Sequence, residues 1–502
     1  MSFLAAVACA GALALSGCGG GDEAGSPLDE ALSYLPKDAA FAVALETDLS
    51  GSQYKALDKI IGKFPFGDQL KQQIVDSLEE GGTSFKSDLR PMLGNPIVVG
   101  GTSARSITDN ADSNDEFVAA FQVKDKDKLD ALLKGQKAKE QSERSGAKIY
   151  RGDSPDEWLG VEEDMLLAAS SRKLLEGAID QHDKDDGLTQ EDFDKGLEGL
   201  PKSALVRVYA DVEGLLKSDP GTADAQRIKW VKALRTFGMT GVAKGDALDI
   251  DFNLATDGDL TEADLPIASG DEAPGVLKQT GEIGLGIRDP AQIVKFAESA
   301  GQAVDPGGYG DYSAAKRQIE QRLGVSIDDD LIEQLTGDAA TSFSLNGKFG
   351  LRSELKDPAA FKRTLAKVAD VLPAIAKGAG AGDLALAKPR RGSDFYALAD
   401  QRGNSYVFGV VDDVFVLAND PSRAGRLASE SPEQVSGAKG SVAMGADAEQ
   451  VARAFIGQIA QAQPGLGGII GAGIFTAPLK DLTGSMSATP DGLRGSFELS
   501  LD

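Results

Sequence analysis

Phe395-Tyr396-Ala397-Leu398, then Tyr406-Val407-Phe408-Gly409-Val410-Val411, then Val414-Phe415-Val416-Leu417 decide the fold class. Three β-prone runs follow one another across short polar connections, and connections of that length join antiparallel neighbours. Elsewhere a short apolar strand ends in Asp, Ser or Asn and gives way to an amphipathic helix. Leu205 to Asp211, followed by Val212-Glu213-Gly214-Leu215-Leu216, is one case. The carboxylate of Asp211 suits an N-cap, where it accepts orphan amide hydrogens and favours the positive end of the helix dipole. Strands that meet directly in some places and alternate with helices in others predict an α+β module rather than a doubly wound parallel fold. The expected module is a mixed, largely antiparallel sheet with helices packed on one side.

These phrases occur twice, at a period of roughly 240 residues. Phe41-Ala42-Val43-Ala44-Leu45 with Asp48 returns as Ile283-Gly284-Leu285-Gly286-Ile287 with Asp289. Val123-Lys124-Asp125 and the helical positions Leu129, Leu132 and Leu133 return as Leu355-Lys356-Asp357 with Phe361, Leu365 and Val368. Met165-Leu166-Leu167-Ala168-Ala169 returns as Val414-Phe415-Val416-Leu417-Ala418, and Val208-Tyr209-Ala210-Asp211 as Met444-Gly445-Ala446-Asp447. The order never changes, so a duplication is expected: one module over residues 31–266 and a second over 275–502, joined near Ala268-Ser269-Gly270-Asp271-Glu272-Ala273-Pro274-Gly275.

Composition narrows the function classes. Of 502 residues, 78 are acidic and 52 basic, giving a formal charge of -26, so nucleic acid is not an expected partner. Apolar residues at 41% and charged residues at 26% read as globular. A single histidine, His182, excludes a His-rich metal site and leaves only one triad base.

Residues 1–17 carry no charge and are mostly small or apolar, too short for a membrane span and suited to a signal h-region. The run ends in Leu15-Ser16-Gly17-Cys18, which resembles the lipobox of bacterial lipoproteins, in which the cysteine is lipidated and becomes residue one after cleavage. No Lys or Arg precedes the apolar run, a departure from the positive start of a signal that leaves open whether Met1 is the true start. Residues 18–30, opening Cys18-Gly19-Gly20-Gly21-Asp22-Glu23, read as a flexible tether. Cys9 would leave with the signal, and no disulfide is expected. The predicted partner is therefore a membrane, reached through a lipid on Cys18 from its extracytoplasmic side.

Leu35-Pro36-Lys37-Asp38-Ala39-Ala40-Phe41-Ala42-Val43, the phrase Asp88-Leu89-Arg90-Pro91-Met92-Leu93-Gly94 and the strand-Asp-helix units resemble the bacterial "domain of unknown function 3352" proteins. The resemblance covers most of residues 30–502 and implies an exported or membrane-tethered envelope protein. The family carries no known activity, so it assigns no catalytic residue. It usually has tryptophan where Met92 stands here.

Local motifs add little chemistry. Ser-x-x-Lys occurs at Ser52/Lys55, Ser145/Lys148 and Ser313/Lys316, but neither Ser-Asp-Asn nor Lys-Thr-Gly accompanies it. Asp109 to Glu116 and Asp180 to Asp186 with Gly187 invite a calcium reading, yet neither has the alternating oxygens, glycine and closing glutamate of an EF-hand loop. His182 reads as an exposed residue. Gly465 to Phe475, the most apolar stretch after the signal, lacks a nucleotide fingerprint and reads as core or as a contact patch. Arg227 to Arg235 could gather a basic face that net charge conceals. No cofactor, metal or catalytic residue is expected. The leading expectation is non-enzymatic binding or scaffolding in the envelope, by partners the sequence leaves open. The runner-up is a carrier of an apolar ligand such as a lipid or glycolipid, and a carboxylate-based hydrolase comes third.

Overall fold

The computed structural model describes residues 25–79, 83–101, 117–135, 138–151, 157–277, 282–378, 383–390, 394–400, 403–462 and 476–502. They form two compact units. The first comprises described residues up to Thr222, with Leu234–Ala255 and Ser500–Asp502; the second comprises Ala223–Ala233 and Thr256–Leu499.

The first unit carries Phe41–Leu45 (β1), Ile97–Gly101 (β2), Phe117–Gln122 (β3), Lys139–Arg144 (β4), Ala147–Arg151 (β5), Trp158–Glu162 (β6), Met165–Ala169 (β7), Val206–Asp211 (β8), Leu234–Lys244 (β9) and Ala247–Thr256 (β10). Their spatial order is β4-β5-β6-β7-β3-β2-β1-β8-β9-β10. The second unit carries Glu282–Ile287 (β11), Ala339–Ser344 (β12), Phe349–Glu354 (β13), Ala385–Ala387 (β14), Phe395–Ala399 (β15), Ser405–Val411 (β16), Val414–Ala418 (β17), Val442–Asp447 (β18), Leu479–Thr489 (β19) and Gly492–Leu501 (β20). Here the order is β14-β15-β16-β17-β13-β12-β11-β18-β19-β20, the same sequence of neighbours. The hairpins around Phe395 to Leu417 are antiparallel, as their short turns require. The other paired strands with a resolved register are antiparallel too, and the fold class is α+β, as the largely antiparallel expectation had it.

The strand-Asp-helix units close as the sequence suggests. Asp211 Oδ1 accepts the Gly214 amide at 3.0 Å, and Asp447 Oδ1 accepts the Gln450 amide at 2.9 Å. Each carboxylate caps the helix that follows its strand, Val212–Ser218 and Ala448–Ala462.

Helices cover both faces of the sheet, which corrects the one-sided expectation. In the first unit one face packs Ala42, Val98, Val118, Ala120 and Leu167 against helices Pro27–Leu32 and Arg172–Asp183. The opposite face packs Ile97, Ala119, Phe121, Leu166 and Ala168 against helix Lys126–Gly135. The physical reason lies in β7: all five residues of Met165–Ala169 are buried, and an uninterrupted apolar run belongs to a strand covered twice. The second unit repeats the arrangement, with Val407, Val416 and Ala418 under helix Pro421–Ser429 and Phe408, Val410 and Phe415 under helix Pro358–Ala369.

One charge pair sits inside the second unit. Arg423, only 2% exposed, is ion-paired with Glu282. Arg423 Nη1 and Glu282 Oε2 have no hydrogen-bond partner among the described residues. Counted from the helix caps Ser171 and Asp420, Arg423 stands where the first unit has Leu174. Counted along β1 and β11 by their registers with β8 and β18, Glu282 stands where it has Ala40.

Candidate functional site

Cys18, the acidic run Asp109 to Glu116 and the apolar run Gly465 to Phe475 lie outside the described residues. Among the described residues no helix is long and apolar enough to cross a membrane.

The three Ser-x-x-Lys pairs do not form nucleophile-base couples. Lys316 is buried and donates to Glu298 Oε1 at 2.9 Å and to Asp328, while Ser313 accepts from Arg317 Nη1 at 2.8 Å. Burial alone would lower the Lys316 ammonium, but the hydrogen bonds it donates to Asp328 and Glu298 outweigh it and hold the group above the ordinary lysine value. It stays a cation and cannot accept a proton from serine. Ser145 donates to Asp183 Oδ2 at 3.3 Å, and the exposed Lys148 lies 3.9 Å from Glu140. Ser52 and Lys55 are both exposed on the first turn of helix Ser52–Gly62.

His182 is half-buried, which corrects its reading as exposed. Its ring stacks on Tyr34 with centroids 4.2 Å apart and 17° between planes. Nδ1 lies 2.7 Å from Ser33 Oγ, and Nε2 lies 3.7 Å from Glu30 Oε1. Ser33 Oγ also donates to the Glu30 carbonyl at 2.6 Å, so its proton is already committed. Tyr34 OH donates to Glu162 at 3.1 Å, and burial first, then Glu162, pushes the phenol far up. This cluster fastens helix Pro27–Leu32 and its C-cap to helix Arg172–Asp183. A serine and a histidine about 150 residues apart gave no sequence signal for it.

The acids near His182 diverge. Asp180 is gripped by Arg144, with Nε to Oδ1 at 2.6 Å, and the hydrogen bond to Arg144 holds the carboxyl below its usual range. Among the described residues no group of three or more His, Cys, Asp or Glu is placed to hold a metal ion. Glu46 just after β1, Asp251 in β10 and Asp289 just before helix Pro290–Val304 rise above the ordinary carboxylate value chiefly through burial, at three separate places. The basic run is likewise spoken for. Arg227 pairs with Asp224 at 3.1 Å, Lys229 with Asp264 at 2.7 Å, and Arg235 with Glu213 at 3.5 Å, while Trp230 is buried.

A cleft of about 300 Å³ opens in the second unit between helix Pro358–Ala369 and strands β15 and β16. Leu365, Ala366, Pro389, Tyr396 and Val410 supply its apolar lining, and Tyr396 is stacked on Phe408 at 5.4 Å and 12°. Lys362, Arg363 and Asp394 supply charge. Lys362 Nζ donates to Asp394 Oδ1 at 3.0 Å. An apolar wall with a few placed charges is the usual composition of a small-molecule site. Its residues come from three separated segments, so no local motif could announce it.

A family described as "Protein of unknown function (DUF3352)" matches residues 1–372. The chain belongs to this family. Membership agrees with the resemblance drawn from Leu35 to Val43 and Asp88 to Gly94, and it assigns no activity. No curated protein matches the chain. Solved structures of TP0453 show a distant similarity to the chain: crystal form III at 10% identity and TM-score 0.27, covering 46% of this chain and 82% of that one. Crystal form I has 12% identity and TM-score 0.25, covering 46% and 80%.

Proposed function

We propose that this DUF3352 protein is exported, anchored by a lipid on Cys18 to the extracytoplasmic face of a membrane, and acts by binding or scaffolding rather than by catalysis. The observation that carries the reading is the uncharged run 1–17 closing in Leu15-Ser16-Gly17-Cys18, followed by a glycine-rich acidic tether. The first described helix, Pro27–Leu32, begins shortly after it, capped by Ser26. The matching strand orders support a duplicated module. The engaged state of Lys316, Ser33 and Asp180 supports a structural use for polar clusters that could otherwise suggest catalysis.

Fractionation of cells tests it. The wild-type chain should sediment with membranes, and Cys18→Ala should appear as a processed soluble form or an unprocessed precursor. Unchanged fractionation of the variant would remove the anchor, and a cytosolic wild type would remove export as well. A second reading, carriage of an apolar ligand, is favoured specifically by the cleft beside Tyr396.

A further inference from the structure

We infer that the cleft between helix Pro358–Ala369 and strands β15 and β16 binds an amphipathic anion: an acyl or aryl group bearing one carboxylate or phosphate. The inference rests on the binding reading above and names the ligand class. Three observations carry it. The wall formed by Leu365, Ala366, Tyr396 and Val410 is apolar, and about 300 Å³ is at the small end of ligand sites, enough for a ring or a short stretch of acyl chain. The charges do not cancel. Lys362 and Asp394 neutralise each other, whereas the exposed Arg363 makes no ion pair or hydrogen bond among the described residues, so the mouth carries one surplus positive charge.

The third observation comes from the corresponding place in the first unit. Helices Lys126–Gly135 and Pro358–Ala369 are both capped by aspartate, Asp125 to the Lys128 amide at 3.1 Å and Asp357 to the Ala360 amide at 2.9 Å. Counting from these caps, Lys362 matches Asp130 and Arg363 matches Ala131. By strand register Tyr396 matches Tyr150, and Asp394 matches Lys148. Charges therefore stand at the same two positions with their signs exchanged, although in the first unit Asp130 accepts from Lys126 at 3.0 Å and Lys148 lies 3.9 Å from Glu140; the tyrosine recurs unchanged. Arg363 is the cation with no counterpart. In a chain of net charge -26, a positive group beside an apolar wall complements a ligand with an acidic head and an apolar body.

The test uses the full chain with Cys18→Ser, titrated with 2-naphthoate, with its methyl ester and with inorganic phosphate. The acid should bind, the ester should bind more weakly, and phosphate alone should compete poorly. Arg363→Ala should weaken the acid roughly fivefold to tenfold, the scale of one charge-assisted hydrogen bond discounted for exposure, and leave the ester unchanged. Arg363→Lys should recover part of the loss. Ala366→Trp, which fills the cleft, should abolish both. Equal affinity of acid and ester, or an acid affinity indifferent to Arg363→Ala, overturns the anion assignment. Phosphate competing as well as the amphiphile means a bare anion site and also overturns it. Binding indifferent to Ala366→Trp overturns this location, and no binding by any probe overturns the ligand class; neither result bears on the Cys18 fractionation.

Discussion

Arg423 and Glu282 show what a buried charge does to the residue that faces it. Arg423 is buried and Glu282 half-buried, each with one polar atom left without a hydrogen bond, so their attraction works against a large desolvation cost. Removing one partner strands the other. We expect Arg423→Ala to cost about 3–5 kcal/mol in chemical denaturation. The double change Arg423→Leu with Glu282→Ala, which installs the residues of the first unit, should fall within about 1 kcal/mol of wild type or above it. A double variant as unstable as the single one would mean that the pair is a net stabiliser. His182 is a second case. His182→Ala removes the Tyr34 stack and the Ser33 contact, and we expect a loss of roughly 1–3 kcal/mol in a urea midpoint, with no change in any ligand titration at the Tyr396 cleft.

Elements are held at their ends. Asp211 caps helix Val212–Ser218, and Asp211→Ala should cost about 1 kcal/mol, whereas Asp211→Asn should cost less because it keeps an acceptor. Helix Lys229–Ala233 is tied by Lys229 to the turn Glu262–Asp264. The hydrogen bond from Lys229 first, then those from Thr261, hold the Asp264 carboxyl down to about 2. A carboxyl lowered on folding stabilises fully above its unfolded value near ~3.9, and the contribution disappears as pH falls toward its folded value. Between about pH 4 and pH 2, Asp264→Asn should therefore lose less stability than wild type, and equal slopes in a pH series of denaturation midpoints would contradict this. The elements themselves were legible in the sequence: the hairpins from Phe395 to Leu417, the capped helix after Asp211, and the recurrence of the strand phrases all rest on local chemistry. What escaped was every feature made by distant segments meeting. The second helical layer could have been suspected from Met165-Leu166-Leu167-Ala168-Ala169, whose apolar run leaves no face for water. The Ser33–His182 contact and the cleft beside Tyr396 had no such local trace.

At the scale of the whole molecule, charge and connectivity dominate. With a net charge of -26 and with Arg227, Lys229 and Arg235 each paired to a carboxylate, the anchorless protein should show no measurable binding to anionic vesicles or DNA at physiological salt and little gain at low salt. Co-sedimentation that strengthens as salt falls, and disappears on neutralising Lys229, Lys232 and Arg235, would contradict it. From Cys18 to Leu28 the chain reaches at most about 36 Å, so a lipid on Cys18 would keep the protein close to a surface that its own field repels. Connectivity then decides how the molecule meets that opposition. The first strand of the chain, β1, is not an edge: its residues Phe41 to Leu45 are laddered to β2 on one side and to β8 on the other. A pull delivered through the N-terminus therefore meets the middle of a sheet. Two rows of hydrogen bonds must fail together, where an edge strand would peel away one bond at a time, and resistance to force is set by that unfolding barrier rather than by equilibrium stability. A tether at this end would thus be spliced into a strand held on both sides rather than into an edge.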